Sequence, residues 1–239
     1  MMDAKGKLYL IPSPLGEEAV ETIPPYVIGA LHSLSYLVAE RAKTTRHFIK
    51  RTNPPKPIQE YIIHELNSRT TAQEMNAYIQ PALNGESIGL LSEAGCPGVA
   101  DPGAALVALA HSHGIEVVPL VGPSSILLAL MAAGMDGQRF CFHGYLPAKA
   151  AEMGKDLKRL EQQSERENQT QIFIETPYRN RQVVDQALQV LLPETHFCIA
   201  ADLTLPSQFI VSRKIKDFNL AHLPDLHKRP AIFLLYVKR

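Results

Sequence analysis

The residues with the densest chemical potential form the run Leu91-Ser92-Glu93-Ala94-Gly95-Cys96-Pro97-Gly98-Val99-Ala100-Asp101-Pro102-Gly103. Between Gly95 and Gly103 it carries three glycines and two prolines in nine residues. Such a run fixes an irregular backbone that can approach a ligand closely. A second segment, Pro119-Leu120-Val121-Gly122-Pro123-Ser124-Ser125-Ile126, ends an apolar run in Gly-Pro and sets two serines where a helix begins. Those serines suit either an N-cap or donation to a ligand carboxylate. A third, Glu175-Thr176-Pro177-Tyr178-Arg179, also stands between an apolar run and a helical one. There Glu175 reads as a cap-region acid and Arg179 as a solvated helix residue. In a fourth, Lys228-Arg229-Pro230-Ala231-Ile232, a small residue enters the last strand.

Several chemistries are disfavoured. No GxxxxGK[ST] occurs and no GxGxxG follows the first strand, which argues against triphosphate and ordinary dinucleotide binding. The nine histidines form no HExxH and a single HxH, His111-Ser112-His113, which is too few ligands for a site, so no metal site is expected. No GxSxG elbow appears. Cys96, Cys141 and Cys198 are odd in number and lack a CxxC, which fits a reducing compartment and no disulfide framework. Cys96 has nothing nearby in sequence to lower its pKa, so a packing role is expected. The expected ligand is one held by backbone groups in a shaped cleft.

The elements that must position these segments follow from apolar runs and breakers. Strands are expected at 8–11, 35–40, 58–63, 87–92 and 115–120, with helices over 26–34, 44–50, 71–84 and 104–113. Pro24-Pro25 open the first helix and Gly114 closes the last of these. That alternation marks a parallel α/β layer, whose ligands bind outside the carboxyl ends of the strands. Beyond it, helices are expected over 124–133, 149–167 and 180–192, with strands at 140–144, 170–175, 197–201, 209–214 and 231–237. Short links near the end imply a mixed sheet. Two α/β domains are therefore expected, residues 1–120 and 121–239. Lys plus Arg and Asp plus Glu are 24 each, so there is no global pull toward nucleic acid. Arg41, Lys43, Arg46, Lys50 and Arg51 nevertheless cluster, as either a phosphate-facing patch or a solvated helix face. The first apolar run is too short for a signal-peptide core or a membrane span, so a cytoplasmic protein is expected.

These segments, in this order and spacing, resemble the tetrapyrrole methylase superfamily of S-adenosylmethionine-dependent enzymes. The likeness is strongest to its branch that methylates a ribose 2′-hydroxyl in small-subunit ribosomal RNA. Ser92 to Gly103 matches the family pattern SDAGTPGISDPG, and Pro119 to Ser125 matches PLPGPSA. Gly144-Tyr145-Leu146-Pro147 and Glu175 to Arg179 match GFLP and ESPHR. The resemblance implies the two-domain tetrapyrrole methylase fold, a homodimer, and a cleft between the domains lined by Pro12, Gly95, Cys96, Val99, Ser125, Ile126, Glu175, Pro230 and Ala231. It implies S-adenosyl-L-methionine as cofactor and RNA of the small ribosomal subunit as partner, without metal or membrane. The departures are Ser13 to Thr22 for TPIGNLEDIT, Ala39 to Thr45 for AEDTRRT, with Arg41 in place of an acid, and Ala201 to Leu205 for RELTK. Acceptor-facing loops have drifted more than cofactor loops. A tetrapyrrole or other small-molecule acceptor, or an inactive cofactor-binding paralogue, stays open, and Glu40 and Glu175 are the candidate bases.

Overall fold

The computed structural model describes residues 5–238. Its contacts divide the chain into two compact units, Met1–Ser124 and Ser125–Arg239.

In the first unit the elements are β1 (Lys7–Ile11), α1 (Pro25–Ser33), β2 (Tyr36–Ala39), α2 (Ala42–Arg51), β3 (Ile62–Glu65), α3 (Ala72–Tyr78), α4 (Gln80–Leu83), β4 (Ile88–Leu91), α5 (Gly103–Ser112) and β5 (Glu116–Pro119). The sheet order is β3-β2-β4-β1-β5, and every pairing is parallel. A parallel sheet is covered on both faces, which is why β4 reads as the unbroken buried run Ile88-Gly89-Leu90-Leu91. Gly89 is required there, because a Cβ would come within 2.8 Å of both Ile11 Cδ1 and Leu37 Cδ2. Apolar side chains fill one layer around Ile11, Val27, Leu31, Leu37 and Ile49, and a second around Leu8, Val38, Ile79, Ile88 and Leu106.

Helix ends follow local chemistry. Pro25 occupies the first turn of α1. Thr71 and Glu74 form a reciprocal capping box on α3. α5 closes with Gly114 at φ +62°, where Gly114 N donates to His111 O and Ile115 N to Ala110 O. Two sequence expectations are corrected. Residues 58–60 form a 3₁₀ turn after Pro57, and the strand begins at Ile62. The helix expected over 71–84 is interrupted at Ile79, since Pro81 has no N–H to continue the ladder.

The second unit contains α6 (Ser125–Ala133), β6 (Phe140–Tyr145), α7 (Ala150–Glu167), β7 (Thr170–Ile174), α8 (Asn180–Val190), β8 (His196–Ala201), β9 (Phe209–Lys214) and β10 (Ala231–Tyr236). Its sheet is mixed, in the order β6-β7-β10-β8-β9; β6 and β7 are parallel and the other pairs antiparallel. Phe173, Phe197 and Phe233 stack along one face with centroids 5.6 and 6.1 Å apart. Met153, Leu157 and Leu160 of α7 and Val183, Val184 and Ala187 of α8 close over them. The buried Glu161 accepts from Leu192 N (2.8 Å) and Thr195 Oγ1 (2.5 Å), and so holds the link between α8 and β8. No described helix is long and apolar enough to cross a membrane.

Candidate functional site

In the first unit, the strand order marks out one edge as a candidate site. The chain leaves β1 and passes β4 to reach β2; it leaves β4 and passes β1 to reach β5. The two connections therefore cross at the carboxyl ends of adjacent strands, the position where open α/β sheets bind ligands. The crossing is bonded directly. Ser13 and Gly95 exchange both main-chain N–H···O bonds at 2.9 Å. Ser13 Oγ donates to Ser92 O (2.8 Å), and Ser92 Oγ lies 3.0 Å from Gly95 O. Gly95 sits at φ +73°, a conformation that favours glycine.

The loop after β5 joins the same cluster. Leu120 N donates to Leu10 O, and a Cβ on Gly122 would lie 2.2 Å from Pro12 Cβ. Cys96 directs its thiol at Pro123 O (3.5 Å). Burial pushes that thiol up, which suits packing better than nucleophilic attack. Asp101 organises the rest of the long loop, accepting from Gly98 N and Gly103 N at 2.8 Å each. Burial still holds its carboxyl above the ordinary range, outweighing those two bonds. Val99 on this loop is 50% exposed. Pro12, Gly95 and Cys96 thus converge, with Val99 on the same loop.

Beside this cluster stands Glu40, the residue after β2. Burial raises its carboxyl above the ordinary range, and the charges of Glu93 and Asp101 push the same way against Arg41. Arg41 is exposed, with Nε 3.9 Å from Glu93 Oε2.

In the second unit, Glu175 follows β7 one residue beyond the pair Ile174↔Ile232, at the end of the sheet where β10 starts with Ala231. Its side chain is fully buried. Oε1 accepts from Thr176 N (2.6 Å) and Arg179 Nη2 (2.5 Å), while Oε2 has no partner. Arg179 is therefore a buttress of Glu175 and not the solvated helix residue expected from sequence. Pro230 O accepts from Asp202 N, and Ala231 pairs with Ala201. Arg229 Nε bonds Asp202 Oδ2 at 2.7 Å, and Asn180 Nδ2 donates to the carbonyls of Leu226 and Arg229. Ser125 and Ile126 are the first residues of α6. Sequence reading assigned no role to Ser13, Ser92, Asp101, Asn180 or Asp202; only the Asp-Pro-Gly ahead of α5 offered a signal, as a helix-start pattern.

A five-stranded parallel sheet with glycine-rich loops crossing at its carboxyl edge, followed by a mixed five-stranded sheet, is the architecture of a class of α/β methyltransferases. The model for the family described as Tetrapyrrole (Corrin/Porphyrin) Methylases matches residues 7–219. The chain belongs to the tetrapyrrole methylases, and it is a methyltransferase. It is 32% identical over 236 residues to the ribosomal RNA small subunit methyltransferase I of Escherichia coli O157:H7, covering 99% of this chain and 79% of that protein. The protein of the same name from Haemophilus influenzae is 29% identical, with 100% and 80% covered. Among solved structures, the methyltransferase CobJ shares the fold with a TM-score of 0.62 at 20% identity, covering 97% of this chain and 94% of that one. Among the described residues no group of three His, Cys, Asp or Glu is placed to hold a metal.

Proposed function

We propose that this chain transfers a methyl group from S-adenosylmethionine to a ribose 2′-hydroxyl of small-subunit ribosomal RNA. The observation that carries the reading is the bonded crossing of Ser13 and Gly95 at the carboxyl edge of the parallel sheet, in a chain whose relatives carry ribosomal RNA methyltransferase names. The residues present suit this cofactor. Pro12, Gly95, Cys96 and Val99 offer main-chain groups and small surfaces in place of a phosphate loop. Glu175 offers a buried carboxylate oxygen without a partner, matched to a hydroxyl or amino donor. Ser125, Ile126, Pro230 and Ala231 complete the proposed set.

When bound, S-adenosylmethionine supplies a methyl activated on a sulfonium together with its own leaving group. The protein's part is to align the acceptor oxygen and to exclude water. Glu40 takes the hydroxyl proton: its raised carboxyl is a better base than an ordinary one, whereas one oxygen of Glu175 is already engaged by Arg179. The chain works in the cytoplasm as a homodimer, a state that suits the exposed Leu127 and Met131 one turn apart on α6.

The test pairs calorimetric cofactor binding with transfer of labelled methyl to small ribosomal subunits that lack the modification. Wild type should bind S-adenosylmethionine and yield a 2′-O-methylated nucleoside. Glu40→Gln should keep cofactor affinity and lose about 10²–10⁴-fold in kcat. Absence of cofactor binding defeats the reading, and transfer to porphyrin precursors alone would move the substrate to a tetrapyrrole.

A further inference from the structure

Two of the segments that depart from the family pattern meet in one cavity. The loop after β1 and helix α2 wall a pocket of about 150 Å³ within the first unit. Leu15, Val20 and Phe48 give it apolar surface, and Thr44, Glu93 and Arg51 give it polar edges. Ser13 and Ser92 of the bonded crossing line it too, so it adjoins the loops proposed to hold the cofactor. A cavity of about 150 Å³ accommodates one six-membered aromatic ring. It is far too small for a tetrapyrrole.

A second, shallower groove shares Glu17, Thr44 and His47 with this pocket and is otherwise lined by Arg41, Lys43, Arg46 and Lys50. Lys43, Arg46 and Lys50 are exposed and spaced three and four apart, which sets them in one stripe along α2. Among the described residues none of the three has an acidic partner within ion-pair distance. α2 itself contains no acid. In a chain of zero net charge, this stripe is a local electrostatic footprint for polyanions.

We infer that the pocket takes a single-ring nucleobase of the RNA acceptor, unstacked from its neighbours, while the adjoining phosphates follow the Lys43–Arg46–Lys50 stripe. The inference rests on the RNA reading above and adds the place and manner of acceptor binding. Enzymes that act on a nucleotide seat its base between apolar walls and read its edge by hydrogen bonds. Here Phe48, Leu15 and Val20 are the walls. The Glu93 carboxylate, which Thr44 Oγ1 approaches at 3.3 Å, accepts from an N–H on the base edge.

Thr44→Trp fills the pocket from α2. With labelled S-adenosylmethionine and unmethylated small ribosomal subunits, this variant should lose roughly a hundredfold in kcat/KM. Its calorimetric cofactor affinity should match wild type. Transfer at the wild-type level by the filled variant overturns the inference. A wild type that binds cofactor but methylates no RNA sinks the RNA reading, and the inference falls with it. If Thr44→Trp loses cofactor binding through misfolding, the exposed triple variant Lys43→Gln, Arg46→Gln, Lys50→Gln decides. Binding of a single-stranded oligoribonucleotide should weaken, with a salt slope shallower by about 2. An unchanged slope overturns the inference.

Discussion

In the first unit, the loops after β1, β4 and β5 are joined mainly by main chain and hydroxyls: Ser13 with Gly95, Ser13 Oγ with Ser92 O, and Gly122 against Pro12. In the second, the ends of β7 and β8 and the start of β10 are held by charged and amide side chains. Glu175 pairs with Arg179, Asp202 with Arg229, and Asn180 spans two carbonyls. The difference follows from strand direction. A parallel sheet delivers every carboxyl end to one edge, so backbone can meet backbone there. In the mixed sheet the ends of β7 and β8 flank the start of β10, and the chain must turn through left-handed residues at Asp202, Thr204 and Lys228. Side chains do the tying where strand ends do not coincide. Disturbing the crossing in the first unit should therefore show in ligand binding, and disturbing the Asp202–Arg229 tie of the second in stability.

The largest effect is expected from Arg229→Leu. It strands the nearly buried Asp202 carboxylate and should cost about 3 kcal/mol in urea unfolding. A loss of well under about 1 kcal/mol would erase the contrast between the units. Next is Gly122→Ala, whose Cβ must displace Pro12. Overpacking should cost about 1–3 kcal/mol, but the sharper loss should be in cofactor affinity by calorimetry. Weakened folding with intact affinity would break the comparison from the other side.

The smallest effect concerns pH. Burial holds Asp101 above its ordinary 3.8. A raised carboxyl contributes stability that is full below 3.8 and lost as pH climbs through the folded-state value. In Asp101→Asn the side-chain amide keeps an oxygen to accept from Gly98 N and Gly103 N but cannot ionise. That variant should therefore match wild type in acid and gain on it as pH rises toward neutrality, read by urea midpoints across that range. Parallel curves would mean that the carboxyl is not held up.

Much of this architecture was readable from residue order. The apolar run at 88–91, the Pro25 start of α1 and the Gly114 stop of α5 each encode their element locally. Where reading failed, the deciding interaction was small or distant. Residues 58–63 hold enough apolar and aromatic side chains to read as a strand, yet after Pro57 the first three, Ile58-Gln59-Glu60, form a 3₁₀ turn that no periodicity reveals. The glycine density from Gly95 to Gly103 marked the loop. The hydroxyls that fasten it were invisible, because Ser13 and Ser92 stand 79 positions apart. Arg179 looked solvated because its partner is a carboxylate buried by tertiary contacts, not one exposed on its own helix.

That 79-residue span has a kinetic meaning. Closing so long a loop must precede any return from the contacts it allows, so the Ser13–Gly95 clasp belongs among the slower events of folding. During synthesis the chain has to emerge well beyond β4 before its first strand can complete the clasp. No shorter amino-terminal fragment carries half a cofactor grip; the grip arises only once the central parallel strands lie side by side.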